Sequence, residues 1–171
     1  MQRSYLVLAL VVCLAIIVLL SYWCLFTSTT TILLVRHAER LNPTDTTSLS
    51  AEGFERAVEL EHAVGSAGIQ YIIVSNKQRT AQTVAPTAAS LGITPVVVPA
   101  AEIGQTVDSI KAHSGEVILL VGHADTLPRI IADLGISPPP GVGENEFDRL
   151  FVITKNRWRT SFVMLKYGKP T

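Results

Sequence analysis

Beyond residue 26 the chain has no cysteine, because Cys13 and Cys24 both fall in one apolar stretch near the N-terminus. That absence excludes a disulfide framework, a thiolate zinc site and a cysteine nucleophile from everything downstream. The two thiols read as small apolar residues of an apolar helix. Net charge is lacking too: Lys and Arg total 14, Asp and Glu total 14, and without Arg3 the basic count is 13. So balanced a chain has no bulk field to attract nucleic acid, which is not an expected partner, and any anion selectivity must be local. Internal repeats, low-complexity segments and a Gly-rich dinucleotide fingerprint are also missing.

What is present begins with an uncharged run, "YLVLALVVCLAIIVLLSYWCLF", from Tyr5 to Phe26. At about 1.5 Å per residue it is long enough for a hydrocarbon core of about 30 Å, so residues 1–26 are expected to form a transmembrane anchor. A cleaved signal peptide is the alternative. Arg3 precedes the run and no Lys or Arg follows before Arg36, which puts the N-terminus in the cytoplasm and the remainder in an extracytoplasmic, periplasmic location, or secreted if the segment is cleaved. Residues 27–171, about 145 of them, suffice for one domain with a real core.

That domain alternates strand and helix signals. "TILLV" is an apolar run without alternation, as for a strand covered on both faces. "LSAEGFERAVELEHAVGSAG" predicts an amphipathic helix with Ser50 as N-cap and Phe54, Ala57, Val58 and Val64 at helical spacing. "YIIVS" is a second strand; "RTAQTVAPTAASLG" is a helix that Pro86 should kink or break. "TPVVVP", "GQTVDSIKAHSG", "EVILLVG" and "TLPRIIADLG" continue as strand, helix, strand and helix. "DRLFVITKN" and "RTSFVMLKYG" predict two strands joined around Lys155 to Trp158, a hairpin at a sheet edge. The expected fold class is therefore α/β: a three-layer sandwich with a mainly parallel sheet and helices on both faces, preceded by one transmembrane helix.

In such sheets the site lies at the carboxyl ends of the strands. Arg36 and His37 follow the first strand, Ser75 to Arg79 the second, and Gly122 and His123 the fourth. Arginine offers a planar fork of donors to phosphate oxygens, and neutral imidazole can act as a nucleophile. Two of each around one point suit a phosphate, with backbone amides from Ala124 onward adding donors. Each residue alone has a plainer explanation, a satisfied structural histidine or half of an ion pair. A two-histidine metal site lacks a third ligand, and adjacent arginines would repel the cation.

"LLVRHAER", "LSAEGFERA", "SNKQRTAQTVAPTAASLG" and "LLVGHADTLPRII", taken in order, resemble the successive signatures of the histidine phosphatase, or phosphoglycerate-mutase-like, superfamily. The resemblance covers most of Thr31 to Tyr167 and implies a phosphohistidine mechanism without metal or organic cofactor. It casts His37 as nucleophile, Arg36 and Arg79 as the phosphoryl clamp, and His123 as stabiliser of the equatorial oxygens. Asn42 and Ser75 are further candidates for substrate binding. For the general acid it offers Glu102 first and Asp125 second. Another branch carries Asp directly after the second histidine, where this chain has Ala124. Glu39 is near the nucleophile but can equally pair with an arginine. The expected function is a phosphatase acting on a phosphorylated small molecule or phosphoprotein, tethered to a membrane. The alternative is a tethered phosphate-binding regulatory domain with little turnover.

Overall fold

A computed structural model describes residues 2–25 and 28–171 and, within the first helix, the side chains of Tyr5 and residues 7–23. That helix, α1, runs Gln2–Leu25. Its large hydrophobics are exposed, from Tyr5 at 70% to Trp23 at 56%. Among the described residues no helix is long and apolar enough to cross a membrane. The unbroken run of described side chains, 7–23, rises only about 25 Å against a hydrocarbon core of about 30 Å. The expected transmembrane helix is corrected to that extent. Phe26 and Thr27, where the span should end and the linker begin, lie outside the described residues, as do the side chains of Arg3 and Cys24.

The remaining elements are β1 (Thr30–Arg36), α2 (Ala51–Val64), β2 (Tyr71–Val74), α3 (Gln78–Leu91), β3 (Val96–Val97), α4 (Ile103–Ala112), β4 (Val117–Gly122), α5 (Leu127–Asp133), β5 (Arg149–Lys155) and β6 (Thr160–Lys166). They build one six-stranded sheet in the order β3-β2-β4-β1-β5-β6. The pairs β1–β4, β2–β4 and β2–β3 are parallel, while β1–β5 and β5–β6 are antiparallel. The sheet is thus mixed rather than mainly parallel: the expected hairpin forms, and it continues the sheet beyond β1 by two antiparallel strands. β3 shrinks to two residues because Pro95 and Pro99 flank it and neither can donate to a ladder.

Successive β1 side chains point to opposite faces. Ile32 and Leu34 join a core roofed by α4 and α5, whereas Leu33 and Val35 join one roofed by α2 and α3. The unalternating run is therefore a doubly covered strand. Two helix expectations change. Pro86 does not break α3, which continues to Leu91 and is held by buried Thr83, Val84, Thr87 and Ala88. Phe54 and Val58 are exposed, and α2 buries Gly53, Arg56, Ala57, Leu60 and Val64 instead. Arg56 turns inward because Glu39 meets it, with guanidinium nitrogens 2.7 and 2.8 Å from its Oε1.

Candidate active site

Local chemistry fastens three strand ends together. The His37 amide donates to Gly122 O at 3.0 Å, tying the end of β1 to the residue before His123. The Ala38 amide donates to Thr83 Oγ1 at 2.9 Å, and that hydroxyl donates to Arg79 O at 2.7 Å. Thr83 therefore sets the turn bearing His37 against the helix bearing Arg79. From the other side, α2 presses close: the Ser50 amide donates to Glu39 O at 2.9 Å. A Cβ on Gly53 would lie 2.1 Å from that same oxygen, so only glycine fits there.

These ties bring Arg36, His37, Arg79 and His123 together, each no more than 6% exposed. The two imidazole centroids are 5.3 Å apart. His37 Nδ1 lies 2.7 Å from Ala38 O. A carbonyl only accepts, so Nδ1 carries the proton and Nε2 keeps its lone pair. Around His123, Nδ1 is 3.5 Å from Arg79 Nη2, which only donates, and Nε2 is 2.8 Å from Ser75 Oγ. Neutral His123 thus donates from Nε2 to Ser75. Ser75 passes its own proton to Thr80 Oγ1 at 3.0 Å, and Thr80 donates to Lys77 O at 2.8 Å.

Burial governs the electrostatics. It pushes the His37 imidazole down to about 3, helped by the charges of Arg36, His123 and Arg79 and opposed by the bond to Ala38 O. His123 is pushed down to about 4, again chiefly by burial and then by Arg79. Burial, then repulsion from Arg40, brings Arg36 down to about 10, and Arg79 is lowered by the same two causes. Both histidines are neutral at physiological pH while both guanidinium groups keep their charge.

Each arginine is also engaged by a loop. Arg36 Nη1 donates to Gly143 O at 2.7 Å and to Glu144 O at 2.5 Å, with Phe147 stacked 4.2 Å from its Cζ. Arg79 Nη1 donates to Asp45 O at 3.0 Å. The Nε atoms of both arginines are buried without a partner. A buried N–H of a cation left unpaired is costly.

The cleft has a volume of about 330 Å³. Besides the four central residues, its lining includes Arg40, Asp45, Lys77, Ala124, Asp125 and Glu144. Ala124 and Asp125 are thus where the sequence placed them, and Ser75 sits behind His123. Glu102 does not line the cleft. It is exposed at the N-cap of α4, and Ala100 is the residue of that stretch that borders the site. Asn42 belongs to a neighbouring cleft with Leu41 and Pro43, its Oδ1 accepting from the Thr44 amide at 3.0 Å. Glu39 is occupied by Arg56. Sequence reading passed over Arg40, Asp45, Lys77, Glu144 and Phe147. Arg40 and Lys77 stand within the quoted "RHAER" and "SNKQR" segments, a signal that was available.

Residues 32–103 match the family model of the histidine phosphatase superfamily, branch 1. That match spans 72 of the 171 residues, and over this stretch the chain is similar to the histidine phosphatase superfamily. Members of this superfamily are phosphatases. Similar solved structures include the protein histidine phosphatase SixA complexed with tungstate, at TM-score 0.66 and 17% identity, covering 80% of this chain and 96% of that one. A mycobacterial glucosyl-3-phosphoglycerate phosphatase matches at TM-score 0.66 and 13% identity, covering 82% and 100%. A protein titled mycobacterial hydrolase 1 matches at TM-score 0.64 and 14% identity, covering 84% and 100%. At these identities the likeness shows a shared fold. No curated protein sequence matches the chain. The histidine phosphatase match includes Arg36, His37 and Arg79 and stops before His123, which reaches the site through β4.

Proposed function

We propose that this chain is a histidine phosphatase that hydrolyses phosphomonoesters or phosphorylated protein side chains through a covalent intermediate on His37. One observation carries the reading: the Nδ1 bond to Ala38 O leaves the Nε2 lone pair free in a cleft that Arg36, Arg79 and His123 also line. Arg36 and Arg79 hold the phosphoryl oxygens, neutralise their charge and align phosphorus with Nε2. The Nε2 lone pair forms an N–P bond as the bond from phosphorus to the leaving oxygen breaks. Near the anion His123 takes up a proton on Nδ1 and donates it to an equatorial oxygen, while Ser75 holds the ring from Nε2. Water then attacks phosphorus and gives its proton to the carboxylate left when the acid protonated the departing oxygen; the N–P bond breaks, and Nε2 recovers its lone pair.

The departing oxygen needs a proton. Asp125 takes that role ahead of Glu102, because it lines the cleft and Glu102 does not. Asp125→Asn should therefore slow an alkyl phosphate far more than an aryl phosphate, whose leaving group needs little protonation. Equal loss on both substrates would remove Asp125 from this role.

The decisive test is trapping of an acid-labile phosphoenzyme in the wild type and its disappearance in His37→Ala, together with turnover. Phosphate binding with neither phosphoenzyme nor turnover would favour the regulatory reading. For location we propose that α1 attaches the domain to a membrane with the domain outside the cytoplasm. Supporting this, the described large hydrophobics of α1 from Tyr5 to Trp23 are exposed. Recovery of the full chain in the soluble fraction, with α1 intact, would sink that attachment.

A further inference from the structure

The end of the sheet opposite the active site carries a second cluster of cations, arranged quite differently. The turn between β5 and β6 reads Lys155-Asn156-Arg157-Trp158-Arg159. Asn156 Oδ1 accepts from the Trp158 and Arg159 amides at 2.9 and 2.8 Å, and the Asn156 amide donates to Arg159 O at 3.0 Å, so the tip is a fixed turn. Trp158 projects from it, 67% exposed. Among the described residues Lys155, Arg157 and Arg159 enter no ion pair. Lys111, which lines the same groove as Lys155 and Arg157, is paired with Asp108 at 3.5 Å.

This tip lies beside the end of α1. The Arg157 guanidinium sits 4.5 Å from the Trp23 ring centroid and 5.4 Å from that of Trp158. Trp23, Lys111, Lys155 and Arg157 share the lining of a groove of about 410 Å³. Lys155 pairs in register with Thr30, the first residue of β1, whereas Arg36 ends that strand. Six residue steps at about 3.3 Å separate the two ends by about 20 Å.

We infer that the β5–β6 hairpin tip is a membrane-contact element: Trp158 enters the headgroup layer of an anionic bilayer while Lys155, Arg157 and Arg159 engage lipid phosphates. Tryptophan favours that layer because its ring is apolar and its N–H needs a polar partner. Surface cations outside ion pairs add attraction to anionic headgroups close to the surface. The inference rests on the attachment of α1 proposed above, since α1 and the tip meet at the same face. It also fixes an orientation, with the catalytic cleft turned away from the bilayer toward soluble substrates.

The test uses the full chain carrying Trp23→Phe, which leaves Trp158 as the one remaining tryptophan of two. Vesicles of phosphatidylcholine alone are compared with vesicles that also contain phosphatidylglycerol. Flotation reports attachment; quenching of Trp158 by lipids brominated near the headgroup reports tip contact. We expect quenching several-fold stronger in the anionic vesicles, weakened by salt, and lost in Arg157→Glu with Arg159→Glu while the melting temperature holds. Equal quenching in the two vesicle types, or quenching that survives the charge reversal, overturns the inference. The α1 reading is judged separately: flotation with neutral vesicles supports it, whatever the tip does. Flotation only with anionic vesicles, abolished by the charge reversal, supports the tip and sinks the α1 anchor.

Discussion

The two ends of this sheet both gather cations, yet at one end they are buried and at the other exposed. Arg36 and Arg79 are 5% and 6% exposed and have buried Nε atoms without partners. Lys155, Arg157 and Arg159 are exposed, with Lys155 Nζ donating to Leu134 O at 3.3 Å and Arg157 lying against Trp23 and Trp158. Desolvating a cation is costly unless an opposite charge repays it, so on the proposed reading the buried pair serves a small anion that enters a defined place. The exposed set loses little hydration and suits a broad, laterally mobile surface of charge. The same residue types therefore do different work, and burial rather than composition separates them.

The largest expected contrast comes from removing one buried cation. Arg79→Ala should lower kcat/KM by about 10³ through loss of transition-state charge stabilisation, and Arg79→Lys should recover little because the planar fork is lost. Steady-state kinetics on a soluble phosphomonoester measure both. If Lys restores most of the activity, a bidentate clamp is not what the site uses.

A second expectation concerns pH. The folded-state values of His37 and His123 lie at about 3 and 4, below the ordinary 6.5. The unfolded chain therefore binds protons that the native site refuses. The stabilisation is complete above about pH 6.5 and is lost as pH falls through about 4 for His123 and about 3 for His37, with a slope of at most about 1.4 kcal/mol per pH unit for each group. Denaturant melts across that window measure it. Saturating inorganic phosphate should flatten the decline, since a bound anion favours the protonated rings. A decline unaffected by His37→Ala and His123→Ala would assign it elsewhere.

Smaller still is the effect of Ser75→Ala, which deletes the acceptor for His123 Nε2–H and should cost about 1 kcal/mol of transition-state stabilisation. Its signature is a shifted pH–rate profile that Ser75→Thr restores. A purely structural role would leave the profile in place. At the exposed end, Arg157→Ala with Arg159→Ala should change stability by less than about 0.5 kcal/mol and leave turnover of soluble substrates untouched. A large loss there would mean that the two ends are coupled.

How much of this was legible in the sequence varies residue by residue. The unalternating "TILLV" marked a strand covered on both faces, and the hairpin around Lys155 to Trp158 followed from two apolar runs around a polar turn. The convergence of Arg36, His37, Arg79 and His123 followed from their places after parallel strands, since those strands deliver their carboxyl ends to one edge. Glu102, the first choice for the general acid, is exposed at the N-cap of α4 and does not line the cleft, which Ala100 borders instead. Phe54 and Val58 failed because the α2 face was chosen by hydropathy, whereas Glu39, fourteen or more residues upstream of that helix face, draws Arg56 inward.

By itself the sequence determined the order of strands and helices and the chemical types that reach the active edge, because side-chain periodicity and turn residues act over a few positions. Only the tertiary structure decided which cations lose water, which nitrogen of each histidine keeps its proton, and which loop carbonyls hold the arginines. Those outcomes depend on atoms brought together from opposite parts of the chain, among them Arg36 with Gly143 and Glu144, and Arg79 with Asp45. Desolvation and hydrogen-bond direction are properties of that assembled environment, and no local segment contains them.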